Sequence, residues 1–288
     1  MKKIKRVMTV LMIAILASVT ITESAFAIEA SKNTSLKKVQ NLTYPTGFKY
    51  AQGMCVIGGK LYLAYRNDSG KAVIQVWNLK KREKTTEKTL SLGHANSMTY
   101  CKRLGGIVVS PVDDTTKLKV IDLKNWKVRT IDIGIKSYAV GYSSKLGLVV
   151  GKSKTREFYR FSVDKKGNVK KVKNASFKIA KDSGYEHQGI EVVGSKVFIV
   201  QDLVDKKTTT ADLNKHYKKN RVLCYNIQYD KNKKKWKKKL FKNVSFPGSE
   251  YDCEFEEICY STSEKKYFIF ANKNFGTRKP LLYATKEL

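Results

Sequence analysis

The chain is short of the residues that most often announce a catalytic or metal site. It has three histidines in 288 residues, and its five cysteines include no Cys-x-x-Cys pair. The spacing of zinc ribbons and dithiol redox motifs is therefore missing. No Gly-x-Ser-x-Gly occurs, so the strained elbow that presents a nucleophilic serine is absent. An odd cysteine count also rules out a fully paired disulfide framework. Only four prolines are present, and no run rich in proline, glycine or serine divides the chain into domains. Past residue 21 no apolar run approaches the roughly 20 residues that cross a bilayer as a helix. Acidic residues are scarce, 25 against 57 lysines and arginines. That imbalance disfavours a cationic partner and favours an anionic one.

The one long apolar run lies at the N-terminus. Lys2, Lys3, Lys5 and Arg6 form a basic start, Val7 to Ile21 is apolar, and Ala25-Phe26-Ala27 offers a small-x-small cleavage site. Residues 1–27 read as a signal peptide and residues 28–288 as the mature domain. No Leu-x-x-Cys precedes the cleavage site, which argues against a lipoprotein. The expected location is secreted, with association to the cell surface as an option. The mature chain keeps 53 basic and 24 acidic residues, a net charge of +29. Outside a cell the candidate partners are anionic wall polymers, surface glycans, anionic lipids and stray nucleic acid. Lysine far outnumbers arginine, and lysine is a flexible point charge without a fixed fork. Diffuse attraction to a polyanion fits this better than base-specific nucleic-acid reading. No cofactor motif is present, and the domain is taken as a monomer.

What the chain has in abundance is short strands. Ser91 to Asp122 forms one unit: a polar knot at His94-Ala95-Asn96, a strand from Met98, a turn at Lys102 to Gly106, strand Gly106 to Ser110, a turn, and strand Leu118 to Asp122. Trp126-Lys127-Val128 is expected to open a fourth strand. The pattern recurs four more times. Its hydrophobic anchors Met54, Met98, Val140, Ile190 and Ile258 are 44, 42, 50 and 68 residues apart. About four strands in each 40–50-residue unit predict an all-β, five-bladed β-propeller of antiparallel blades. The last interval is long because unit four carries the stretch Leu203 to Asn220, a surface excursion or lid with room for a short helix, and a lysine-rich hairpin. Lys37 to Tyr44 is expected to pair beside Leu281 to Thr285 and close the ring. Cys55 and Cys259 occupy equivalent positions in blades that meet at closure. They are expected to be small buried hydrophobes, with a disulfide between them as the alternative.

Aligning the five openings puts Gln52, Asn96, Tyr138, Gln188 and Glu256 at one position and Tyr50, His94, Lys136, Glu186 and Glu254 two residues earlier. Positions two apart on a strand share a face, and the first strand of each blade lines the propeller axis. These side chains are expected to converge on one mouth of that axis as a ligand site. Its chemically capable members are His94, Glu186, Glu254 and Glu256. His187 falls between the aligned positions and reaches the mouth only where the strand turns. The alternatives are a hydrated channel without a ligand, or a metal held by His94, His187 and a glutamate. The second candidate surface is the hairpin from Tyr229 to Leu240, turning at Lys231-Asn232-Lys233. Lys233, Lys234, Lys235, Lys237 and Lys238 supply charge there, and an exposed Trp236 would add a polyanion or lipid-interface contact.

The opening His94-Ala95-Asn96-Ser97-Met98-Thr99-Tyr100 resembles the His-x-Asn-x-Met-Thr-Tyr opening of helveticin-J-like bacteriocins and of related propellers, the phage receptor-binding proteins and a protein encoded with teichoic-acid genes. Gln52-Gly53-Met54 and His187-Gln188-Gly189-Ile190 resemble other openings of that group, and the likeness spans about Lys49 to Leu282. It implies a five-bladed propeller that binds the envelope of Gram-positive bacteria, with antibacterial action in the bacteriocins. Ser97 departs from the Gly or acidic residue usual there, and blade three opens without a histidine. The expected function is a secreted propeller that binds an anionic component of the bacterial cell envelope and is bacteriocin-like. The alternative is an extracellular polysaccharide-cleaving hydrolase or lyase that uses the acidic and histidine residues at the axis.

Overall fold

The computed structural model describes residues 35–113, 115–180, 182, 184–205, 216–230, 235–273, 278–286 and 288. The expected signal peptide, residues 206–215 of the expected Leu203 to Asn220 excursion or lid, and the hairpin turn at residues 231–234 with Lys233 and Lys234 lie outside the described residues. The two ends of that excursion are strand instead, in Lys196–Val204 and Tyr217–Asp230.

The chain folds into five four-stranded antiparallel sheets. β1 (Lys37–Asn41) comes first. Blade one is β2 (Tyr50–Ile57), β3 (Lys60–Arg66), β4 (Ala72–Asn78) and β5 (Glu83–Leu90). Blade two is β6 (Ser97–Cys101), β7 (Gly106–Ser110), β8 (Lys117–Asp122) and β9 (Val128–Asp132). Blade three is β10 (Ser137–Ser143), β11 (Gly147–Lys152), β12 (Glu157–Val163) and β13 (Val169–Lys178). Blade four is β14 (Tyr185–Val193), β15 (Lys196–Val204), β16 (Tyr217–Asp230) and β17 (Lys235–Pro247). Blade five is β18 (Glu254–Ser261), β19 (Lys266–Lys273), β20 (Lys279–Thr285) and, on its outer edge, β1. Each inner strand contacts the next, and β18 returns to β2. The fold is the five-bladed propeller expected from the repeat.

The anchors Met54, Met98, Val140, Ile190 and Ile258 all sit on inner strands and are buried. Unbroken apolar runs such as Ile107-Val108-Val109 follow from burial of both sheet faces. Ile107 and Val109 pack toward blade one, while Val108 packs toward blade three. Five hydrophobic clusters result, one at each junction between neighbouring blades. Outer strands have one face in water, and β5 is exposed along most of its length. The lysines sit there because a charged side chain is costly to bury without a partner.

Ring closure follows the expected pairing, with Lys37 opposite Ala284 and Asn41 opposite Leu281. This covers the edge of β20, which would otherwise present unpaired backbone groups. The tight turn at Gly58-Gly59 has both residues at positive φ, 54° and 76°. Side chains rarely adopt that conformation, and glycine does so without a steric penalty. One strand start differs from expectation. Trp126 sits in a turn at φ 62°, and the fourth strand of blade two begins at Val128.

All five cysteines are buried free thiols, so the Cys55–Cys259 disulfide is not formed. They fill space as small hydrophobes. Burial raises the Cys55 and Cys259 thiols well above the ordinary range, helped by the nearby Glu191 and Glu257 carboxyls.

Candidate functional site

A cavity of about 210 Å³ opens at one end of the axis. Tyr50, Gln52, His94, Asn96, Gln188, Glu254 and Glu256 line it, together with Arg66. Arg66 was missed in the sequence because it lies at the end of β3, a second strand, and its place at the mouth comes from pairing opposite Tyr50.

Three expected members, Lys136, Tyr138 and Glu186, do not line this cavity, nor does His187. Tyr138, Glu186 and His187 line a separate cleft between blades three and four. Register shifts at the inner-strand openings are common to blades one, three, four and five, and a bulge breaks strict two-residue alternation. Gln52 and Glu256 of blades one and five still line the mouth, so the bulge alone does not sort the two sets. His94 and His187 open onto different cavities. Among the described residues no group of three His, Cys, Asp or Glu side chains is placed to hold a metal ion.

The mouth has an acidic floor. Gln188 Nε2 donates to Glu254 Oε1 at 2.9 Å, and Asn272 Nδ2 donates to Glu256 Oε1 at 2.5 Å. Asn272 is a hub: its Oδ1 accepts from Tyr44 Oη and from the Ala51 amide, both at 2.8 Å. Burial pushes the Glu256 carboxyl well above the usual range, and the Glu254 and Asp202 carboxylates push it further. Asp202 is fully buried behind the floor and is raised by burial first, then by Glu254 and Glu186. Its Oδ1 accepts the Phe255 amide at 3.3 Å. Adjacent carboxyls in low dielectric cannot all ionise cheaply, so the floor holds protons.

The rim is cationic. The Arg66 guanidinium lies 4.0 Å from the Tyr50 ring centre and that of Arg278 lies 4.8 Å from it. Between rim and floor is Gln52, 2 % exposed. Its Nε2 donates to the Ala51 carbonyl at 2.5 Å, while Oε1 is buried without a protein partner. A buried acceptor of this kind costs free energy until a donor meets it. The floor and Gln52 accept; the rim attracts anions. A carboxyl held protonated beside another carboxylate also suits a general acid.

Below the mouth, Glu257 closes the axis. The residues aligned with it are Gly53, Ser97, Ala139 and Gly189, all small. Its carboxylate crosses from blade five to accept the Met98 amide of blade two at 3.0 Å, and also the Ile258 amide at 3.0 Å. A Cβ on Gly189 would lie 1.9 Å from Glu257 Oε1, so glycine there makes room for the crossing. The signal was present in the sequence as one large acid among four small residues.

The lysine-rich hairpin forms as expected, with Tyr229 opposite Trp236 and Asp230 opposite Lys235. Lys235, Lys237 and Lys238 are exposed. Trp236 is not the exposed aromatic expected. It is partly buried against the junction of blades three and four, with the Arg160 guanidinium 3.7 Å from its ring centre. The cause is Arg160, itself buried, whose Nε and Nη2 are tied to the Leu146 carbonyl at 2.8 and 2.6 Å. His216, inside the expected lid, meets Asp252 Oδ2 at 2.5 Å.

No protein-family model and no curated protein matches the sequence. Solved structures do share the fold. The tail fibre of Staphylococcus aureus phage P68 superposes over 87 % of this chain with a TM-score of 0.54 and 13 % identity. This chain spans 52 % of that fibre's length. The glutaminyl cyclase of Myxococcus xanthus superposes over 88 % of this chain and 97 % of its own, with a TM-score of 0.57 and 9 % identity. At such identities the shared property is the propeller itself. The helveticin-J-like kinship expected from the blade openings rests on those motifs.

Proposed function

We propose that this chain is an exported propeller that binds an anionic polymer of the bacterial envelope. The observation that carries the reading is the layered mouth: two guanidiniums on Tyr50 at the rim, and an acidic floor with the unpartnered Gln52 Oε1 below. A polymer with anionic links and hydroxyl or amine substituents matches both layers. Its charge meets the rim, and a substituent donates into the floor. The net charge of +32 over the whole chain supports capture from a distance. The His94 to Tyr100 opening, which resembles that of helveticin-J-like bacteriocins, supports the bacterial envelope as the place of action.

The test is a pull-down on purified cell walls, with and without teichoic acid, across a salt series. Stronger binding to the teichoic-acid-bearing walls at every salt concentration is expected. Equal binding to both preparations overturns the teichoic-acid form of the reading. Release of product from a panel of wall and plant glycans, lost in Glu254→Gln or Glu256→Gln, replaces the binding reading with the hydrolase or lyase one.

A further inference from the structure

The cleft between blades three and four, about 840 Å³, has chemistry that the axial mouth lacks. It opens at the same end of the ring, since His187 lines it and its neighbour Gln188 lines the mouth. Lys154, Arg156 and Lys178 converge on it from blade three. Tyr138 is 8 % exposed, and its hydroxyl has no protein partner. Tyr138 lines the cleft and not the mouth. Gly151 makes room for it, because a Cβ there would lie 2.7 Å from the Tyr138 ring. Arg156 Nε is likewise buried without a partner.

His187 lies beside these donors. Arg221 Nε donates to Gln201 Oε1 at 2.7 Å, so the Gln201 amide nitrogen faces the His187 ring, 3.1 Å from Nδ1 and 3.4 Å from Nε2. The ring is neutral at ordinary pH: burial, then Arg156 and Arg221, lower its pKa to about 4. Acids are present too, but largely engaged. Asp182 meets Arg221 at 2.6 Å, and Glu157 lies 3.9 Å from Lys178. Glu186 lines the cleft, and the Tyr185 ring carries the Arg221 guanidinium at 3.5 Å.

We propose that this cleft binds a phosphate group, with Tyr138, Arg156 and Lys154 as its donors and His187 beside them. Two unpartnered buried donors and neighbouring lysine ammoniums suit a tetrahedral oxyanion with several acceptor oxygens. The proposal deepens the envelope-polymer reading and rests on it only for the source of the phosphate: a polymer diester or a free or terminal phosphate.

The experiment is calorimetric titration of the full protein with inorganic phosphate and, separately, with a glycerophosphodiester. NMR titration of the His187 ring accompanies it. Binding of either probe is expected, weakened about tenfold or more in Tyr138→Phe and in Arg156→Gln. Lys154→Gln, at an exposed turn, provides a variant with little risk to folding. Saturating probe is expected to raise the His187 midpoint from near 4 in the free protein, because a bound anion favours the imidazolium. Preference for the diester assigns the cleft to a polymer backbone, and preference for inorganic phosphate assigns it to a terminal or free group; both support the site. Binding unchanged in all three variants, or an unmoved His187 midpoint, overturns it. Wall binding that persists while neither probe binds overturns the cleft alone and leaves the envelope reading standing.

Discussion

At the scale of single residues, the buried polar groups make opposite demands. Gln52 Oε1 is buried without a partner, a cost of roughly 1–3 kcal/mol in comparable proteins. Gln52→Met removes that cost at similar volume. It is expected to leave stability equal or to raise it by about 1 kcal/mol, while weakening selective wall binding. Paired urea melts and wall isotherms check this, and a destabilised variant would show that Gln52 serves the fold instead. Glu257 is the converse case, since its carboxylate satisfies the Met98 and Ile258 amides. Glu257→Ala leaves both amides buried and unpaired, and a loss of about 2–4 kcal/mol is expected in the same melts. Glu191 sets a pH dependence. Its two oxygens accept the Val192 and Tyr260 amides, and burial raises its pKa from 4.5 to about 8. The folded state thus holds the proton more tightly than the unfolded chain. Its contribution is full below pH 4.5 and falls as pH rises through about 8. Glu191→Gln is expected to flatten the decline in Tm across that window. His187 acts in the opposite sense, costing stability as pH falls from 6.5 to about 4.

At the scale of elements, the β16–β17 hairpin separates packing from charge. Trp236 holds its outer strand on Arg160 of blade three, so Trp236→Ala is expected to cost about 2 kcal/mol through lost packing and cation–π contact. Lys235, Lys237 and Lys238 on the same strand are exposed, with Lys237 meeting Asp230 at 2.6 Å and Lys238 donating to the Lys178 carbonyl. Changing all three to Gln is expected to leave Tm within about 2 °C, because surface substitutions rarely matter to stability. Attachment to teichoic acid and to heparin should weaken by similar factors, since diffuse lysine charge discriminates poorly. A loss confined to one polymer in paired isotherms would mean that the hairpin reads structure. The position of this hairpin follows from its lysine-rich composition and the turn expected at Lys231-Asn232-Lys233. The burial of Trp236 does not, because its partner Arg160 lies 76 positions earlier in the chain and on another blade.

At the scale of the whole molecule, one N-terminal strand holds the ring shut. Deleting the chain through Asn41 would leave β20 with an open edge and remove Leu36, which packs in the junction of blades four and five. Loss of a single cooperative unfolding transition, with self-association on size-exclusion chromatography, is expected. A monomeric deletion variant with an unchanged melt would show that the other blades suffice.

Five units, their order, their inner strands and the closing strand were determined by the sequence alone. Each depends on local alternation, turn residues and the period of the repeat, which are properties of neighbouring residues. Seven of the mouth-lining residues were legible for the same reason. Only the tertiary structure decided that Tyr138, Glu186 and His187 line the cleft instead of the mouth, because that depends on how blades three and four meet, which the repeat does not encode. Only it decided, too, that Glu257 bridges the axis to Met98 and that Arg66 completes the mouth. Those contacts span blades, so they are set by distances across the closed ring.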